Sequence, residues 1–227
     1  MSPKPLPVPP FNPAELSGFP EVSKERLPEV LFRVHRVDRE PEWFSAGLGD
    51  DGGRWDPPAD SAEAFGTCYT STGPLGAYLE VFAELPLVTQ TEIDRRALAM
   101  LQLPPEPRWA DMTNPIVVGQ WHLDERINTG DDYLTCQLWA QQLFAAGFTG
   151  VYYNPRHDVA RTTSASVALF GDPGRQSGTL KVLTRSAIPH EVVHDAHQQF
   201  GLRVLPSVPP LPSFDPFDVD YRPESLT

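Results

Sequence analysis

Apolar and polar positions alternate along Leu27–Val37. In LFRVHRV, Leu31, Arg33, His35 and Val37 fall on one face and Phe32, Val34 and Arg36 on the other, the period-two signature of a strand. The same period recurs in residues 66–71 (GTCYTS), where Thr67, Tyr69 and Ser71 share a face. Further strands are predicted at 85–93 (LPLVTQTEI), 150–154 (GVYYN), 164–170 (SASVALF) and 180–183 (LKVL), with a strand edge at Trp109–Thr113. Elsewhere the apolar spacing lengthens to that of a helix. After Gly73-Pro74, residues 75–85 carry a stripe of Leu75, Leu79 and Phe82 with Tyr78 beside it, and Glu80 lies at the stripe's edge. Residues 91–103 predict a second helix, closed by Pro104-Pro105, and Asp124–Gly147 the longest, with Gly147 just past its end. A last helix spans residues 189–200, with Gly201 as its stop. Strands and helices mix without strict βαβ alternation, so the predicted class is α+β.

Proline placement sets the limits of this pattern. The 227-residue chain holds 26 prolines, concentrated at both ends. Proline lacks the N–H that helices and central strands need, so residues 1–20 predict an extended arm, 21–205 the folded domain, and 206–227 an acidic, proline-rich tail. The loop at 38–53 ends in Gly52-Gly53, whose φ freedom lets backbone approach a ligand closely. A net charge of −12 argues against nucleic acid as a direct partner, which requires cationic surface. Two cysteines, Cys68 and Cys136, suit a reducing compartment better than a disulfide framework. No apolar run reaches the ~20 residues that span a bilayer, and the first residues lack a signal-peptide pattern. The expectation is a cytoplasmic protein without a membrane partner.

One motif suggests metal chemistry. His190-Glu191-Val192-Val193-His194 is HExxH, the helical arrangement of zinc hydrolases. His197 extends the same face, while Val192, Val193, Ala196 and Phe200 cluster on another. No histidine follows to supply a third ligand, so the expectation is an exposed histidine stripe and no metal site. Phosphate-loop and nucleophile-elbow glycine patterns are also absent.

A different constellation carries the functional reading. Arg33 in LFRVH, Gly53-Arg54-Trp55-Asp56-Pro57, Tyr69 and Ser71 in CYTS, and Glu80 in AYLEVF occur in order. They are followed by Trp109–Thr113, the helix reaching Gly147, residues 150–153, Arg156-His157-Asp158 and Val167–Phe170. This set resembles the RES domain family, which includes the toxins of RES–Xre toxin–antitoxin pairs, over about residues 28–205. The resemblance implies an ADP-ribosyltransferase-like core of mixed and antiparallel strands. It also implies NAD+ as substrate rather than bound cofactor, cleaved at the nicotinamide–ribose bond by hydrolysis or phosphorolysis. Protein ADP-ribosylation on the same fold is the alternative, and an HExxH zinc hydrolase a second one. An Xre-type antitoxin is the implied partner, and a homodimer is compatible with it.

On this reading Glu80, Arg33 and Tyr69 are the catalytic candidates. Arg33, Arg54, Tyr69, Ser71, Trp55 and Arg156 are the candidates for holding NAD+. Arginine forks suit a pyrophosphate, a tyrosine ring can stack on nicotinamide or ribose, and a carboxylate can stabilise an oxocarbenium-like ribose. One position departs from the family pattern. A serine is expected after the strand at 150–153, and Pro155 stands there, with Ser164 and Ser166 further on.

Overall fold

The computed structural model describes residues 5–46, 52–61, 65–85, 87–103, 106–158, 164–175 and 180–207. The alternating stretch around Arg33 forms β1 (Val30–Arg36), followed by the short β2 (Trp43–Phe44) and then β3 (Gly66–Ser71). Helix α1 (Pro74–Phe82) starts with proline at its first position, where a missing N–H is harmless. Next come β4 (Val88–Thr89), α2 (Gln90–Asp94), β5 (Arg96–Gln102) and β6 (Trp109–Asp111). Three helices follow, α3 (Ile116–Trp121), α4 (Arg126–Thr129) and α5 (Tyr133–Ala145). The chain continues through β7 (Gly150–Tyr153), β8 (Ser166–Gly171), β9 (Gly174–Arg175) and β10 (Lys181–Ala187). It finishes with α6 (His190–Phe200) and β11 (Val204–Leu205).

Seven strands form one sheet in the order β10-β5-β1-β3-β8-β7-β6. All neighbours are antiparallel except β6 and β7, so the α+β expectation holds. The decisive irregularity lies in the middle. β1 pairs with β5 along its whole length, from Val30↔Gln102 to Arg36↔Arg96. With β3 it shares one register pair, Phe32↔Ser71, and beyond it the two strands part. The segment around β2 borders this opening, Ser45 bridging to Thr67 of β3.

Two helical layers cover one face of the sheet. Over the β1 and β5 end, Val34, Leu98, Tyr78, Phe82, Val192 and Ala196 form a core with α1 and α6. Over the β8-β7-β6 end, Trp139, Leu143, Val151, Ala168 and Phe170 form another with α5. The N-terminal segment joins this second core. Leu6, Leu16 and Phe19 are buried, Phe19 packs against Trp121, Trp139 and Phe148, and the Trp139 indole donates to the Pro7 carbonyl at 2.9 Å. A 3-10 turn at Pro13–Gly18 interrupts the expected extended arm. The first four residues, Asp50-Asp51 of the Gly-rich turn and residues 208–227 of the tail lie outside the described residues.

Several expected elements take another form. The helix predicted over 91–103 is a correction: only α2 is helical there, and Arg96–Gln102 is the fully paired strand β5. Ala, Leu and Met favour helices in isolation, yet Ala97, Leu98, Ala99 and Leu101 are all buried in the sheet. Burial on both faces erases the alternation that would have identified a strand. Of the strand predicted at 85–93, Val88–Thr89 is extended and the following residues are α2. The long helix of 124–147 breaks at Gly130, after which the Asp132 side chain caps α5 by accepting from the Thr135 N–H at 3.1 Å. Gly147 takes φ +84° after α5, and Gly201 φ +70° after α6, as their stop positions require.

Candidate active site

A cleft of about 400 Å3 opens at the parting of β1 and β3, between α1 and the start of α5. Arg33, Arg54, Tyr69, Glu80 and Arg156 all line it, joined by Tyr133 and Tyr153. Glu80 projects from α1. The helix can lie close to β3 because Gly76 has no side chain, since a Cβ there would stand 2.2 Å from Ser71 Oγ. A row of register partners crosses the sheet beneath, Phe32↔Ser71↔Ser166↔Tyr153. Cross-strand partners project to the same side, so Ser166 and Tyr153 meet the Glu80 carboxylate together. Ser166 Oγ donates a short hydrogen bond to Glu80 Oε1, and Tyr153 Oη donates to the same oxygen at 3.4 Å. Oε2 has no hydrogen-bond partner among the described residues and remains available to a ligand. Burial raises the Glu80 pKa, partly offset by the two hydroxyl donors and the nearby Arg54 charge. Burial likewise holds the Tyr153 phenol well above its ordinary value, so it stays a donor.

Two guanidinium groups line the same cleft, held by backbone carbonyls rather than by acids, and the Arg54 charge acts on the Glu80 carboxylate. Arg33 Nη1 donates to the carbonyls of Pro41 at 2.6 Å and Trp43 at 2.9 Å and lies against the Cys68 sulfur. Arg54 is buried. It donates to the carbonyls of Ile127 at 3.2 Å and Gly130 at 2.7 Å and stacks over the Tyr133 ring at 4.7 Å. The break between α4 and α5 supplies the Gly130 carbonyl. No carboxylate lies within ion-pair distance of either arginine among the described residues. A cation without a counter-ion, in a chain of net charge −12, is poised for an anionic ligand.

Tyr69 presents its ring to the cleft while its hydroxyl holds the Gly-rich turn. Its Oη accepts the Trp55 N–H at 2.8 Å, and Asp56 accepts the Gly53 N–H at 2.7 Å. Any Cβ on Gly53 would come within 2.4 Å of Tyr69 Oη, so close approach fixes glycine there. Arg156 stands at the rim, bonded to Asp131 at 2.6 Å and to the Tyr133 hydroxyl at 3.3 Å. His157 Nε2 lies 3.3 Å from Glu84 beside it.

This ordered arrangement agrees with the sequence match: the family model for the RES domain covers residues 30–206. The chain belongs to the RES domain family. Its fold is similar to a chain in the crystal structure of the M. tuberculosis MbcT–MbcA toxin–antitoxin complex. The TM-score is 0.57 and the identity 16%, over 76% of this chain and 91% of that one. A search of curated proteins found no match.

Two of the residues expected to hold ligand do not line the cleft of this RES domain. Trp55 is wholly buried, its ring 5.6 Å from that of Tyr153, so it supports the site from behind. Ser71 is also buried. Its hydroxyl donates to the Ala165 carbonyl at 3.1 Å, and Gly76 of α1 closes over it. Pro155 stands where a serine was expected after the strand at 150–153, and the serine that meets Glu80 is Ser166, the next in the same row. Sequence distance hid this, because residues 154–165 separate β7 from β8 and the pairing Tyr153↔Ser166 reunites them. Tyr153 was equally hidden, although its place in the quoted 150–153 strand put it on one face with Val151. The histidines of α6 are exposed, the rings of His190 and His194 standing 6.4 Å apart, and none lines the cleft.

Proposed function

We propose that this RES domain cleaves the nicotinamide–ribose bond of NAD+, acting as a toxin that a protein antitoxin restrains. One observation carries the reading. Among the described residues, a carboxylate with one oxygen unbonded, held by two hydroxyl donors, shares a cleft with two arginines that lack acidic partners. Its volume falls within the ~300–1,000 Å3 of ligand pockets. The remaining N–H groups of Arg33 and Arg54 suit a pyrophosphate, and the Tyr69 ring suits nicotinamide or ribose. When the bond breaks, its electron pair leaves with neutral nicotinamide, and positive charge develops on the ribose ring. Glu80 Oε2 offsets that charge or holds a ribose hydroxyl, while Ser166 and Tyr153 keep the carboxylate from turning away. Water or phosphate then adds to the ribose carbon.

The toxin role is supported by family membership and by the likeness to a chain from a toxin–antitoxin complex. Purified protein incubated with NAD+ should release nicotinamide, and assays with and without phosphate distinguish phosphorolysis from hydrolysis by the ribose product. Transfer of labelled ADP-ribose onto protein, without free ribose product, would replace this reading with protein ADP-ribosylation. In cells, expression should lower NAD+ and halt growth, and co-expression of the antitoxin should reverse both.

A further inference from the structure

A second cleft, of about 210 Å3, adjoins the first and shares Arg33, Val34 and Val81 with it. Arg33, Arg36, Arg39 and Arg96 line it, with His35, Trp43 and one carboxylate, Glu40. Arg36 pairs with Asp38 at 3.1 Å and Arg96 with Glu92 at 2.6 Å, and both pairs leave guanidinium N–H groups over. Arg39 has no carboxylate within ion-pair distance among the described residues, and it lies over the Trp43 ring at 5.4 Å. A ring beneath a guanidinium fixes its plane and leaves its edge free to donate.

His35 packs into the same lining. It is 6% exposed. Its Nδ1 lies 2.9 Å from the Arg36 carbonyl and 3.1 Å from that of Arg39, which assigns the proton to Nδ1 and makes Nε2 an acceptor. That Nε2 is sealed from solvent and has no hydrogen-bond partner among the described residues, so it costs stability as it stands. Burial and the charges of Arg185 and Arg33 hold the ring neutral.

We propose that this second cleft binds a tetrahedral phosphate group, distinct from the pyrophosphate assigned to Arg33 and Arg54. Its anionic oxygens face the free edges of Arg36, Arg39 and Arg96. The phosphate has two sources, free inorganic phosphate or a phosphate carried on the adenosine ribose of the dinucleotide. The binding claim stands apart from the cleavage reading, which only the second source invokes.

Calorimetric titration of the full chain with inorganic phosphate, at ionic strength matched with chloride, tests it. NAD+ and NADP+ are titrated in parallel. Arg39 and Arg36 are exposed, so Arg39→Gln and Arg36→Gln should fold, which circular dichroism checks. Saturable phosphate binding that weakens about tenfold or more in Arg39→Gln, as loss of a charge-assisted bond requires, supports the site, with free phosphate as the source. Tighter binding of NADP+ than NAD+, with the preference lost in Arg39→Gln, supports it with the dinucleotide's own phosphate as the source. Neither phosphate binding nor a preference for NADP+, or binding that both variants leave unchanged, overturns it. Nicotinamide release from NAD+ is read separately. Its absence beside intact phosphate binding would sink the cleavage reading and leave this site standing.

Discussion

Glu80 and its two hydroxyl donors make the most specific claims at the scale of single residues. Glu80→Gln keeps the shape and an acceptor for Ser166 and Tyr153 but removes the charge. It should lower kcat for nicotinamide release by ~10²–10³, the usual cost of losing a transition-state electrostatic partner. Ser166→Ala leaves the charge and frees the carboxylate to rotate, so a smaller loss is expected, with KM changed less than kcat. The raised pKa of Glu80 has a definite sign in two measurements. Activity needs the carboxylate, so the acid limb of the kcat/KM profile should lie above the ~4.3 of an ordinary glutamate, and Glu80→Gln should abolish that limb. Stability runs the other way. The folded state binds the proton more tightly than the unfolded chain, so the protonated form's contribution is complete below the unfolded pKa and is lost as pH rises through the folded value. Glu80→Gln should therefore melt no lower than wild type at pH 7. Arg33, Arg54, Tyr69 and Glu80 were legible as residues of one cleft through the ordered set of short motifs that resembles the RES domain family, each motif being weak alone. Ser166 and Tyr153 were not, since a register pairing across a loop leaves no local trace.

At the scale of elements, the site exists because β1 and β3 share one register pair and then part. Alternation identified both strands, but neither alternation nor turn chemistry encodes where two strands separate. The misread β5 shows the complementary limit: a strand buried on both faces looks like a helix when its residues are Ala, Leu and Met. The closeness of α1 to β3 is a claim open to test. Gly76→Ala places a Cβ 2.2 Å from Ser71 Oγ and should cost about 1–3 kcal/mol by overpacking, measured by urea denaturation. Adding Ser71→Gly should recover much of that loss, and a double-mutant cycle would quantify the coupling. A Gly76→Ala chain as stable as wild type would contradict the packing described.

Across the whole molecule, charge and packing divide the work. A chain of net charge −12 gathers arginines along one opening, so local field rather than net charge governs ligand choice. The N-terminal segment, read from its prolines as an extended arm, lends Leu6, Leu16 and Phe19 to the α5 core. Proline content pointed away from α-helix and central strand but revealed neither the 3-10 turn at Pro13–Gly18 nor the three apolar side chains that anchor the segment. Phe19→Ala should accordingly cost ~3–5 kcal/mol, lowering the melting temperature while leaving the cleft residues untouched. No helix among the described residues is long and apolar enough to cross a membrane. The central claim is that Glu80, in a cleft it shares with the two arginines, breaks the nicotinamide–ribose bond. Nicotinamide release from NAD+ by wild type and by folded Glu80→Gln, side by side, tests it most directly. The account predicts turnover by the wild type and a loss of about two to three orders of magnitude in the variant. Equal release by both, or none by either, would contradict it.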